Sequence, residues 1–388
     1  MIRDLVRRVE EATPARRDRA VDALRALAIA GVVLGHWLVT APVADSGVLR
    51  VTSPLKYMPQ LAPVSWLFQT MAVFFFVGGR VAAESHDRAR SRGVGHGRWA
   101  AARMARLFRP VVPLLGVWGA AAVAMLAWGA DPGTVYALVK LVWSPMWFLL
   151  VFGALTAATP LAVRLHPVWP LAAVAMADLV RFGLHGPSWA GWINVGTGWL
   201  VPYCLGVLWA GGRLGGRATG WALLLGGAAA TAALVLWAGY PASMVGVPGA
   251  PVSNQSPPTL AAVAFGVAQC GAALVLAGPL RRVLRRPAAW ALVAAANLSA
   301  MTIFLWHQTA MIAVTAAALR LAGGALPGLH TVPGDPAWVA ARLAWLPAFA
   351  AALAVCLAAF RRHETAGPRG DGKPLRGTRW ERRAGGSA

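Results

Sequence analysis

The chain has 388 residues, 58% hydrophobic and only 13% charged, with a mean hydropathy of +0.57. That balance excludes an ordinary soluble domain and implies a protein that crosses a membrane several times. Its 36 Lys and Arg against 14 Asp and Glu leave a formal charge of +22, but the cations fall in short blocks between apolar runs. They therefore read as topology determinants, and no nucleic-acid partner is expected.

Residues 1–20 hold six arginines and no apolar core, so a basic cytoplasmic segment is expected there, followed by an uncleaved first span. Ten spans are predicted, at about 21–41, 62–83, 110–129, 146–163, 167–184, 195–212, 219–239, 258–279, 298–319 and 338–360. Residues 42–61 read as a Pro-containing loop and 134–145 as a short interfacial segment, since Lys140 and Pro145 interrupt its apolar run. Residues 287–320 are too long for one untilted helix. A short interfacial helix to Ala296 is expected, then a span capped by Asn297 or Ser299. Residues 361–388 carry eight basic groups and several Gly and read as a disordered cytoplasmic tail near anionic lipid. With both termini cytoplasmic, alternating loops put 30 of the 36 Lys and Arg on the inner side. The resulting fold class is an all-α polytopic bundle of about ten transmembrane helices, in one membrane domain over 21–360. The three cysteines, Cys204, Cys270 and Cys356, sit in apolar runs with no neighbouring His and read as core residues, with no metal site expected.

Within the first span, Arg25 and His36 are eleven residues apart. At about 100° per residue they share one stripe, roughly 16 Å apart along the helix, with Asp22 close to it. Titratable groups on a spanning helix should face a protein interior or a wet cavity. His36 is a candidate general base toward the outer face, with interhelical packing as the alternative. Arg25 could instead snorkel or pair with Asp22. The run Phe74-Phe75-Phe76-Val77-Gly78-Gly79-Arg80 suits close helix packing or a ligand near backbone groups. Arg103, Arg106 and Arg109 recur every three residues ahead of the third span. They form either a phosphate-binding face or a plain inside signal. His307 lies within the ninth span in SAMTIFLWH, and Asp178 with Arg181 reads as a local ion pair.

Taken together, the helix RAVDALRALAIAGVVLGH, FFFVGG, RMARLFRP and SAMTIFLWH, in that order, resemble the family 3 membrane acyltransferases. The resemblance runs from about residue 18 to 360. It implies an integral-membrane O-acyltransferase of cell-envelope carbohydrates, peptidoglycan, lipids or antibiotics. It makes Arg25 and His36 functional residues, with the histidine catalytic, and associates Arg103 and Arg106 with the acyl donor. The family's Phe-Phe-x-x-Ser-Gly motif maps onto Phe74, Phe75, Gly78 and Gly79, with Gly78 replacing the serine. A Trp-Tyr-Leu stretch appears as Trp147-Phe148-Leu149, without the acid that often follows.

The expected activity is transfer of an acyl group, acetyl in particular, from cytoplasmic acyl-CoA to an outer hydroxyl, at a bacterial plasma membrane. His36 would act as base with help from His307, Arg25 would serve the donor, and Arg103, Arg106, Phe74, Phe75, Gly78, Gly79 and Trp147 would bind substrate. Acyl-CoA, a carbohydrate or lipid acceptor and membrane lipids are the expected partners, with no tightly bound cofactor. A transporter or flippase would use the same polar residues without covalent chemistry. Its usual pointer, matching interrupted spans in two halves, is not found.

Overall fold

Backbone N–H and C=O groups in an apolar layer must be paired within the chain, so apolar runs of this length fold as helices. The computed structural model describes residues 2–14, 17–45 and 48–365. The expected tail, from residue 366 on, lies outside the described residues. The elements that position the site are α1 (Ile2–Glu11), α2 (Arg19–Val39), the strands β1 (Ala41–Asp45) and β2 (Val48–Thr52), α3 (Met71–Ser91), α4 (His96–Phe108) and α5 (Val111–Ala127). They continue with α6 (Pro132–Trp143), α7 (Trp147–Ala157), α8 (Val168–Asp178), α9 (Asn194–Ala210), α10 (Arg217–Trp237) and α11 (Leu260–Val283). The last three are α12 (Pro287–Leu298), α13 (Ala300–Ala322) and α14 (Pro336–Phe360). The protein is a polytopic, essentially all-α membrane bundle.

Among the described residues, eight helical stretches are long and apolar enough to cross a membrane. The expected span at 62–83 falls on α3, which starts later and from about its midpoint on carries Arg80, Glu84, Asp87, Arg88 and Arg90. The one at 167–184 falls on α8, 11 residues long and continued by a π-helical turn, Leu179–Gly183. The expected interfacial segment at 134–145 is largely α6, which runs through a 3-10 turn, Ser144–Met146, into α7. Pro132 and Pro145 each stand at the start of a helical piece, where the missing N–H costs nothing, so the stretch from 132 to 157 is nearly continuous.

The expected loop after α2 holds an antiparallel hairpin, with Ala41 opposite Thr52 and Asp45 opposite Val48. Val43, Val48, Val51 and Thr52 favour extended backbone, but five-residue strands are too short for a period to show.

Close helix approach explains the paired glycines. A side chain at Gly79 would strike the Tyr203 carbonyl, and one at Gly206 the Phe76 carbonyl, so α3 and α9 touch backbone to backbone. Beside them Trp209 stacks on Phe76 at 5.0 Å and carries the Arg80 guanidinium 3.9 Å over its ring.

Asp18 ties the arginine-rich end together. Its carboxylate caps α2 through the Ala20 N–H (3.1 Å) and accepts from Arg281 (2.8 Å) and Arg80 (3.0 Å), joining α2, α3 and α11. Burial works to raise its carboxyl, but the hydrogen bond and charge of Arg281, with the charge of Arg80, hold it below the usual carboxylate range. A lowered folded value contributes stability above the unfolded value of about 3.9, which is lost as pH falls through the folded value. Asp18→Asn should therefore lower the unfolding temperature of the detergent-solubilised protein at pH 7. The difference from wild type should shrink as pH is brought below about 4.

Candidate active site

His36, near the end of α2, meets His307 of α13. His307 Nδ1 is 2.6 Å from the Phe304 carbonyl, which can only accept, so in the neutral ring this nitrogen holds the proton. His307 Nε2 is then an acceptor, and His36 Nδ1, 3.2 Å away, is its donor. The hydrogen bonds thus orient both rings and leave His36 Nε2 with a free lone pair. That is the arrangement a general base requires. His307 is fully buried, whereas His36 keeps partial exposure.

At the arginine-rich end of the same helix lies a cavity of about 570 Å³. Arg25, Arg103, Arg106, Phe74, Gly78, Asn297 and Glu364 are among its walls. The alternative in which Arg25 pairs with Asp22 is not realised. Arg17, ahead of the helix, folds back onto Asp22 at 2.6 and 3.0 Å and takes up both carboxylate oxygens. Among the described residues Arg25 has no carboxylate within ion-pair distance. Arg103 Nε and Asn297 Oδ1 are buried without a hydrogen-bond partner there, while Arg106 Nε reaches the Ala102 carbonyl at 3.3 Å. The cavity therefore has cationic walls and unsatisfied polar atoms, a surrounding suited to an anionic, hydrogen-bonding group. At Gly78 the ring of Phe152 fills the space that a side chain would need.

Of the residues singled out from the sequence, Arg25, Arg103, Arg106, Phe74 and Gly78 share this cavity. His36 and His307 stand apart from it, beyond an aromatic wall. Phe74 lies 4.9 Å from Phe148, Phe148 lies 5.4 Å from Phe304, and Phe304 lies 6.1 Å from His307, between ring centres. Phe75 stacks on Trp199 at 5.0 Å, and Trp147 is 6.0 Å from the same indole. Both belong to this wall rather than to the cavity lining, and Gly79 belongs to the α3–α9 contact. Asp178 makes no direct ion pair with Arg181. Its buried carboxylate accepts from Asn194 Nδ2 (3.0 Å), the Tyr240 hydroxyl (2.9 Å) and the Leu260 N–H (2.7 Å), and so pins the segment before α11.

The cap of α13 also differs from expectation. Ser299 occupies the cap position without a side-chain hydrogen bond, and Asn297 donates to the Asp22 and Val293 carbonyls. Glu364 supplies the acceptor: its carboxylate takes the Met301 and Thr302 N–H groups, each at 3.0 Å, and the Thr302 hydroxyl at 2.8 Å. An acid at a helix start is favoured by dipole and hydrogen bond alike. The sequence signal was an isolated acid just after the last span. Glu364→Ala should cost about 1–2 kcal/mol, and Glu364→Gln less. Thermal unfolding in detergent measures both.

A polytopic membrane protein in which one helix, α2, contributes both to a fixed histidine pair and to a cationic cavity has a layout suited to membrane-embedded group transfer. Residues 18–361 match the acyltransferase domain of family 3, and the chain belongs to the family 3 acyltransferases. No curated protein and no solved structure matches it.

Proposed function

We propose that this membrane acyltransferase takes an acyl group, acetyl in particular, from cytoplasmic acyl-CoA at the arginine-lined cavity and delivers it to a hydroxyl of an extracytoplasmic carbohydrate or lipid. One observation carries the reading: α2 bears Arg25 in the cationic cavity and, about 16 Å further along, His36 with an oriented lone pair. The positive-inside bias favours a cytoplasmic position for the cavity, the side on which acyl-CoA is made.

Guanidinium groups of Arg103 and Arg106 suit the donor's phosphates, which they can bind by charge-assisted hydrogen bonds. His36 Nε2 takes the acceptor's hydroxyl proton as the oxygen attacks the thioester carbonyl. The tetrahedral intermediate collapses with loss of the CoA thiolate, which leaves with the proton as free CoA, and an ester remains on the acceptor. His307 orients His36 and accepts its Nδ1–H throughout. The aromatic wall between cavity and histidines is a dry surround for the thioester end of the donor.

Acetyl-CoA binding to purified wild type and to Arg103→Ala/Arg106→Ala, measured by calorimetry, tests this assignment. Affinity should fall at least about tenfold in the folded double variant. Unchanged affinity, or no binding by wild type, would remove the donor from this cavity.

A further inference from the structure

Arg342, on α14, is fully buried at 0% exposure, yet no carboxylate pairs with it among the described residues. Its guanidinium is answered by carbonyls from two other segments. Nε donates to Trp37 O (2.6 Å), Nη2 to Thr40 O (2.6 Å) and Nη1 to Gly328 O (2.8 Å), and Nη2 also lies 2.9 Å from Met311 Sδ. Trp37 and Thr40 stand at the end of α2, where carbonyls lack partners within the helix and the helix dipole favours a cation. Burying a cation without a counter-ion is expensive, and packing alone would be served as well by an apolar side chain. The position therefore calls for an explanation beyond filling space.

Its contacts supply one. Arg342 grips α2 at the residue directly after His36. The indole of that residue, Trp37, donates from Nε1 to the His307 carbonyl at 2.9 Å. Met311, on the other side of the guanidinium, belongs to α13 one turn beyond His307. One planar, five-donor group thus touches both helices that carry the histidines, close to both. We propose that Arg342 is a positioning residue for the His36–His307 pair, holding α2 and α13 in the register that keeps the two ring nitrogens in hydrogen-bond contact. The inference rests on reading that pair as the proton-transfer centre. Lysine, a point donor on a flexible stem, cannot span the same three carbonyls.

The test measures acetyl-CoA turnover per folded protein, with membranes of the producing cells as acceptor, for Arg342→Lys, Arg342→Met, Trp37→Phe and Arg342→Met/Trp37→Phe. Each single variant should lower kcat about 10- to 100-fold with the KM for acetyl-CoA within about twofold, because reacting groups are misplaced while the donor cavity is untouched. The double variant should be no worse than the poorer single one, since the Arg342–Trp37 carbonyl bond and the Trp37 indole–His307 carbonyl bond are successive links that fix one register of α2 against α13. Asp178→Asn, which breaks another buried polar cluster, should lower the unfolding temperature and leave kcat unchanged. Wild-type kcat in folded Arg342→Lys or Arg342→Met, or additive losses in the double variant, would overturn the positioning role. If the Arg342 variants fail to fold, Met311→Leu, which removes the guanidinium's contact on α13, decides instead, and wild-type kcat there overturns it. Wild-type turnover by His36→Ala would instead remove the reading of the pair on which the inference rests.

Discussion

An apolar layer penalises every unanswered polar group, and α2 must carry Arg25 and His36 through it. The structure meets that constraint at three levels of one helix. At its start Asp18 caps the first turn and gathers Arg80 and Arg281, so the helix is fixed where the chain enters the bundle. At its end Arg342 takes the last carbonyls. Between them, His36 meets His307, whose own orientation is set by the Phe304 carbonyl, and also hydrogen-bonds the Val32 backbone one turn back. Arg25 alone is left facing a cavity with no anion among the described residues in ion-pair contact. The polar groups of α2 that the fold satisfies hold the helix in place, and those it leaves open are the ones the proposed transfer would use.

Much of this was legible in the sequence because membrane proteins write their constraints in coarse symbols. Apolar length gave the helices, and the eleven-residue spacing of Arg25 and His36 gave the stripe. The order of FFFVGG, RMARLFRP and SAMTIFLWH carries the resemblance to the family. Interhelical contacts were harder to read, because they depend on which faces meet. Asp22 looked like a partner for Arg25 by helical spacing, yet Arg17, outside the helix, reaches it first. Glu364 caps a helix that starts more than sixty residues earlier in the chain. Arg342 is visible in the sequence only as a charge inside the last span. Its four acceptors come from α2, α13 and the turn before α14.

In the proposed transfer the two centres divide the work by chemistry. Charge and bidentate geometry belong with phosphate, and the arginines supply them in a cavity with unsatisfied donors and acceptors. A neutral imidazole with one nitrogen committed and one free belongs with a hydroxyl. The phenylalanines between them form an apolar partition between cavity and histidines. Gly78, where the family motif has serine, fits this division: the Phe152 ring occupies that position and continues the apolar wall.

Donor recognition at the arginine-lined cavity and proton transfer at His36 are proposed as separate tasks, and a single variant separates them. His36→Ala should bind acetyl-CoA with wild-type affinity while membranes containing it release no free CoA above background. Retained release would remove His36 from the chemistry, and loss of donor binding would show that the cavity and the histidine are one site.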